Sequence, residues 1–276
     1  MRDLLRDEKT GLLYRKWGDH TCDKALLLVH GMGAHTGRWE PMAEYMASNG
    51  IAGYAIELEG FGETVGIKGH VGSFRIYYRH IKRLQEMILS ENGNCSIFLA
   101  GESMGALIVF MAASIYPGDF QGLICVSPAF RNIMKFTPRD YLSMSVAAIF
   151  MPRKHFRMPF NSGMCTRDEL AQKAMDDDPR EHRRATARTL FEIAKAQVLS
   201  FGAACKIKCP VMFLLAGADT MISTRTAEKI FEKIPGGTKT LKTYPDMRHA
   251  LTIEKGKEEV FADIMDWVDK TGRAGA

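Results

Sequence analysis

Short apolar runs that alternate with segments of helical period constrain the fold of this chain more than any other feature of its sequence. Residues 25–30 (ALLLVH), 96–101 (SIFLAG), 122–127 and 211–217 are apolar on both sides of a strand period, and Gly, Asn or Asp punctuates the series. Strands with no polar face are those covered by helices on both sides, which is the condition of a parallel sheet. Residues 53–58 and 240–244 add two further strands. Helical patterns over 39–49, 104–116, 225–234 and 257–270 separate these runs. Tyr77, Ile81, Leu84 and Ile88 share one face of another helix, and Val260, Phe261, Ile264 and Val268 form the inward stripe of the last. The order β, α, β, α along the chain predicts an α/β fold with a mostly parallel central sheet flanked by helices.

The alternation stops between 128 and 208, where about 80 residues carry helical pattern and no convincing strand. This predicts one α/β core domain, built from 1–127 and 209–276, interrupted by an all-helical insertion over 128–208. Inside the insertion, Thr166 with Glu169 has the spacing of a capping box, and Ala187, Leu190, Ala194 and Val198 fall on one helical face. The chain has 276 residues, 46% hydrophobic and 25% charged, enough to bury a sizeable core and far from a disordered composition. Lys and Arg number 37 against 32 acidic residues, a net charge of +5 without dense basic runs, so no nucleic-acid partner is expected. Residues 1–10 (MRDLLRDEKT) lack the apolar core of a signal peptide, and no 18-residue apolar run follows, which points to a cytoplasmic protein. The six cysteines are scattered without CxxC spacing, and neither a disulfide framework nor a metal site is indicated.

The chemistry-bearing residues fall at the ends of the predicted strands. Gly101-Glu102-Ser103-Met104-Gly105 places a serine between two glycines, directly after a strand and before a helix. In that context the glycines make room for a tight turn, and the helix N-terminus aims its amides at a reacting carbonyl. A serine hydroxyl needs a histidine to take its proton and a carboxylate to hold that histidine's tautomer. His249 lies in a loop between a short strand and the last helix, and Asp219 follows the end of the strand over 211–217. The expected set is therefore Ser103, Asp219 and His249 in that chain order, with Asp246 as the alternative acid. His20, His70, His80, His155 and His182 have no such placement. The run His30-Gly31-Met32-Gly33 ends the first apolar strand, and the Met32 and Met104 amides are the expected oxyanion donors. His30 itself is expected to hold this loop by hydrogen bonding. The stretch GMGAHTG lacks both the GxGxxG spacing and the Lys-Ser/Thr end of a phosphate loop.

These motifs, over nearly the whole chain, resemble those of α/β-hydrolases of the monoacylglycerol lipase and lysophospholipase group. His30 to Trp39 resembles the family's oxyanion loop, Gly101 to Gly105 its nucleophile elbow, Gly217 to Asp219 its acid loop, and Tyr244 to His249 its histidine segment. Residues 57–64 (ELEGFGET) depart from the usual Asp-x-x-Gly-His-Gly-x-Ser, and Glu102 stands where histidine is common. The resemblance implies a serine hydrolase that cleaves esters of monoacylglycerols or lysophospholipids through an acyl-enzyme, with no metal or cofactor. It also implies that 128–208 forms a cap over Ser103. Within it, 141–151 (YLSMSVAAIFM) is nearly all apolar and is followed by Arg153, Lys154 and Arg157, a pattern suited to peripheral contact with a membrane surface. The same three residues also serve short-chain esterases, iminopeptidase-like peptidases and acyltransferases, and a scaffold of this fold can act as a ligand-binding module. Oligomeric state has no signature in the chain.

Overall fold

Because the central strands are apolar on both faces, successive residues along each can enter opposite cores, and they do. In the strand Lys24–Val29, Ala25, Leu27 and Val29 join one buried cluster while Leu26 and Leu28 join another. Ser96–Glu102 divides in the same way, Ile97 and Leu99 against Phe98 and Ala100. Each such leucine or phenylalanine removed from water contributes about 1.5–3 kcal/mol, and the two-sided burial makes the strand register costly to slip.

The computed structural model describes residues 2–18 and 21–273; His20 lies outside them. In chain order the strands are β1 (Leu5–Arg6), β2 (Leu13–Trp17), β3 (Lys24–Val29), β4 (Ala52–Glu57), β5 (Ser96–Glu102), β6 (Gly122–Val126), β7 (His155–Arg157), β8 (Arg184–Thr186), β9 (Val211–Ala216) and β10 (Lys239–Tyr244). The helices are α1 (Glu40–Ser48), α2 (Arg75–Asn92), α3 (Met104–Ile115), α4 (Pro138–Phe150), α5 (Ser162–Cys165), α6 (Glu169–Asp177), α7 (Ala187–Ala203), α8 (Thr224–Lys233) and α9 (Lys257–Arg273). Eight strands form one sheet in the order β1-β2-β4-β3-β5-β6-β9-β10. All neighbours from β4 to β10 run parallel, whereas β2 pairs antiparallel with both β1 and β4. Helices α2 and α3 cover one face through Tyr77, Ile81, Leu84 and Leu107. Helices α1 and α9 cover the other through Met42, Met46, Val260, Phe261, Ile264 and Val268. This is the α/β-hydrolase fold, with its parallel sheet flanked by helices.

The parallel register sets one sheet edge as the place where loops gather. Val29 pairs with Gly101, Glu102 with Val126, Val126 with Leu214, and Ala216 with Tyr244, so the carboxyl ends of β3, β5, β6, β9 and β10 lie in line. In open α/β sheets this edge carries the ligand crevice.

Between β6 and β9 the chain is mostly helical, and there the local patterns come out differently from their sequence reading. Helix α6 is opened by Asp168, whose carboxylate accepts from the amides of Leu170 and Ala171. Thr166 instead closes α5, and its hydroxyl bonds to Ile253 O and Glu254. A capping box does occur one helix earlier, where Thr137 and Asp140 bond reciprocally at the start of α4. In α7 the buried positions are Ala187, Thr189, Glu192, Ala196, Ser200 and Ala203, so of the face read from sequence Ala187 is buried, whereas Val198 is 75% exposed. Thr189 and Glu192 take up the amides of Val71 and Phe74, which draws polar positions inward. Two three-residue strands, β7 and β8, also pair antiparallel here, too short to announce themselves by alternation.

The tightest approach of a glycine to another element's backbone is at Gly105, where an added Cβ would lie 2.0 Å from the Val29 carbonyl oxygen. Backbone cannot retreat there without parting α3 from the sheet. Gly105→Ala is therefore expected to destabilise the protein by at least about 2 kcal/mol, read as a lowered Tm or a loss of soluble product. Gly202→Ala, with open space at the same position, should leave Tm nearly unchanged.

Candidate active site

Ser103 sits at the junction of β5 and α3 with φ 58 and ψ −119, a left-handed conformation that an L-residue adopts only when its surroundings enforce it. Its amide donates to Val126 O, and its carbonyl accepts from Leu107 and Ala129, so the turn is bonded on both sides. A Cβ at Gly101 would approach Gly105 to 2.5 Å, which is why glycine flanks the serine at two positions. The strain lifts the hydroxyl above the sheet edge, at the first turn of α3.

His249 and Asp219 reach the same point from the far strands. The Ser103 hydroxyl donates to His249 Nε2 at 2.8 Å, and His249 Nδ1–H donates to Asp219 Oδ2 at 2.7 Å. A carboxylate can only accept, so Asp219 fixes the tautomer that leaves Nε2 free to take a proton. The other Asp219 oxygen accepts from the amides of Met221 and Ile222, which orients the carboxylate from behind. Asp246 is exposed and not bonded to His249. Burial is the largest single influence on His249 and opposes its charged form. The charge and hydrogen bond of Asp219, with a smaller push from Glu102, outweigh it and hold the pKa above the ordinary 6.5.

The loop after β3 is braced from several directions. His30 Nδ1–H donates to Gly31 O, and its Nε2 accepts from Leu58 N, so His30 ties two loops together. Burial keeps this imidazole neutral by lowering its pKa. Glu57 accepts from Thr36 N and Thr36 Oγ1 through one oxygen and from Glu63 N through the other, so the departure at this position still clamps the two loops. Gly31 approaches Ser103 closely, a Cβ there meeting the serine Cβ at 3.2 Å. Met32 and Met104 both stand in the wall beside Ser103, the former on this loop and the latter at the first position of α3.

Two cavities of different polarity meet at Ser103. One, of about 330 Å³, is walled by Met104, Phe136, Met144, Leu190, Phe191 and Ile193 and runs between α4 and α7. Of the α7 positions read from sequence as one face, Ala187, Leu190 and Ala194 line this cavity and Val198 does not. The other, of about 460 Å³, is the more polar of the two and carries Arg38, Glu102, Arg157, Glu181, Arg183 and Arg184 together with His249 in its wall. Arg38 forms a two-point ion pair with Glu181, and Arg183 pairs with Asp176. Glu102 is buried, and its carboxylate accepts from Thr252 N and Oγ1, which anchors the segment just after His249. Burial raises its pKa, against opposing pulls from His249, Thr252 and Arg38. The polar lining was not visible in the sequence, because Arg38 and Glu181 meet across a separation of 143 residues and the charged residues of 157–184 look solvated one by one.

No helix among the described residues is long and apolar enough to cross a membrane. Residues 20–256 match the family model Hydrolase_4, described as serine aminopeptidase, S33. Human monoglyceride lipase is 28% identical over 271 residues, covering 96% of this chain and 89% of that protein. The crystal structure of the Paleococcus ferrophilus monoacylglycerol lipase superposes with a TM-score of 0.86 at 25% identity, covering 94% of this chain and 99% of that one. A soluble variant of Saccharomyces cerevisiae monoglyceride lipase, in complex with a substrate analog, superposes with a TM-score of 0.85 at 20% identity over 98% and 95% of the two chains. With the motifs, the sheet order and this coverage in agreement, the chain belongs to the Hydrolase_4 (serine aminopeptidase, S33) family of α/β-hydrolases, and within it resembles the monoacylglycerol lipases.

Proposed function

We propose that the protein is a carboxylic ester hydrolase acting on monoacyl lipids, monoacylglycerols or lysophospholipids, through an acyl-enzyme. The observation that carries this reading is the apolar cavity that ends at the Ser103 hydroxyl, with the 2.8 Å and 2.7 Å hydrogen bonds behind it. Ser103 Oγ attacks the ester carbonyl as His249 Nε2 accepts its proton, and the tetrahedral oxyanion is held by the Met32 and Met104 amides. The bond from acyl carbon to alcohol oxygen then breaks, and the alcohol leaves with the proton from His249. Water, deprotonated by the same imidazole, attacks the acyl-serine; the fatty acid departs and Ser103 regains its proton. Asp219 stabilises the imidazolium in both halves. The names of the similar proteins point to the same substrate class.

The segment 128–208 acts in this reading as a cap. Its helices α4 and α7 supply two facing sides of the apolar wall, and α4 turns Leu142, Ile149 and Phe150 outward, each more than 60% exposed. Arg153 and Lys154 follow directly. Apolar side chains and a basic cluster on one exposed edge suit peripheral docking on an anionic lipid surface, from which a substrate enters the cavity.

Ser103→Ala should abolish labelling by a fluorophosphonate probe and lower kcat by roughly four to six orders of magnitude. An unlabelled wild-type protein would favour a ligand-binding module, and faster turnover of amino-acid anilides than of esters would favour a peptidase. Activity needs neutral His249, so kcat/KM should rise with pH through a midpoint above the ordinary histidine value of 6.5. Asp219→Asn removes the charge that raises this midpoint, so its residual activity should show the acid limb at lower pH. Glu102→Gln should move it in the same direction by less. Ala194→Trp narrows the apolar cavity and should shift preference toward short acyl chains by about ten-fold, measured as kcat/KM across a monoacylglycerol length series. Ile149→Asp with Phe150→Asp should weaken sedimentation with phosphatidylglycerol vesicles while hydrolysis of a soluble short-chain ester persists.

A further inference from the structure

The polar cavity holds four arginines, and they divide into two kinds. Arg38 and Arg183 are neutralised by Glu181 and Asp176, carboxylates of the same cavity. No carboxylate among the described residues lies within ion-pair distance of Arg157 or Arg184. These two are also direct cross-strand neighbours, Arg157 opposite Arg184 in the antiparallel pair β7–β8. Like charges placed opposite one another on a sheet face repel, and a two-stranded sheet of three residues each has little stability with which to absorb that. An anion seated between the two guanidiniums turns the repulsion into two-point binding, for which the planar arginine fork suits phosphate.

The backbone fixes this pair relative to Ser103. His182 N donates to Gly33 O at 3.1 Å, and a Cβ at Gly33 would fall 2.2 Å from His182 O, so the segment leading into β8 rests on the loop after β3. Thr186 N donates to Gly69 O, and a Cβ at Gly69 would lie 2.4 Å from Arg184 O, which pins the other side of β8. Arg157, Arg184, Ser103 and His249 line one cavity, which adjoins the apolar chamber at Met32, Ser103 and Met221.

We propose that Arg157 and Arg184 form a head-group subsite that recognises a phosphate-bearing glycerol head group, so that the preferred substrate is an anionic monoacyl glycerophospholipid rather than a neutral monoacylglycerol. The proposal rests on the ester-hydrolase reading of Ser103 and deepens it by naming the head group. The acyl chain occupies the apolar chamber, the ester lies at Ser103, and the phosphate reaches the arginine pair. Glu102, Asp176 and Glu181 disfavour an anion in the same cavity, and the last two are each already compensated by their own arginine. The unpaired arginines are the surplus that a phosphate meets.

The test compares oleoyl lysophosphatidate with monooleoylglycerol on wild-type protein and on the Arg157→Gln, Arg184→Gln double variant; both positions are exposed, so folding is preserved. The ratio of kcat/KM for the phosphate-bearing lipid over the neutral one should fall about ten-fold or more, through KM, and the corresponding double lysine variant should recover part of it. A ratio that moves by less than about two-fold overturns the subsite. Calorimetric binding of glycerophosphate to Ser103→Ala protein separates this outcome from failure of the hydrolase reading. If the wild type cleaves neither lipid, binding that disappears with the arginine pair still supports the subsite, and no binding overturns it. Inorganic phosphate binding as tightly as glycerophosphate would make the site one for free anion and overturn the head-group assignment.

Discussion

The left-handed backbone of Ser103 is the constraint around which the functional end of the molecule is arranged. It holds only because β5 and α3 meet without any side chain at Gly101 or Gly105, bringing the helix within contact of the Val29 and His30 carbonyls. That contact in turn requires β3 to lie beside β5, which the two-sided apolar pattern of both strands provides. The hydrophobic effect thus sets the position of a single hydroxyl through an unbroken series of packing contacts. The hydrogen bonds to His249 and Asp219 complete an arrangement that the sheet has already aligned.

Much of this was legible in the chain. Buried strands read as unbroken apolar runs, and the five strand ends that gather at one edge follow from their parallel order, so Ser103, Asp219 and His249 could be named from loops alone. The antiparallel strands β1 and β2 at one margin of the sheet escaped notice because β1 has two exposed residues, and Leu13–Trp17 mixes polar and apolar residues without a run. Bounds elsewhere agree to within a residue or two, except that the last helix continues to Arg273.

The segment between β6 and β9 was harder to read for a physical reason. Periodicity reports which side of a helix avoids water, and a helix beside an apolar cavity avoids water on a face that touches no core. Leu190 and Ala194 carry that signature, while the positions that pack against the body of the protein mix the small residues Ala196 and Ala203 with Thr189 and Glu192, polar groups that take up the amides of Val71 and Phe74. The polar cavity left no local trace either. Its charge balance arises only when Arg38, from beyond β3, meets Glu181, and when two three-residue strands place Arg157 against Arg184.

The close approaches at Gly33 and Gly69 bear on how this protein can diverge. Main chain from 182–184 rests in two notches that exist only because the facing residues have no side chain. A helical segment transplanted here from a relative would dock only if its own backbone fell into those notches, and a recipient with alanine at either place would refuse it. The two glycines and the strand they receive must therefore be inherited together, which makes modular exchange of this region a matter of matching seams rather than lengths.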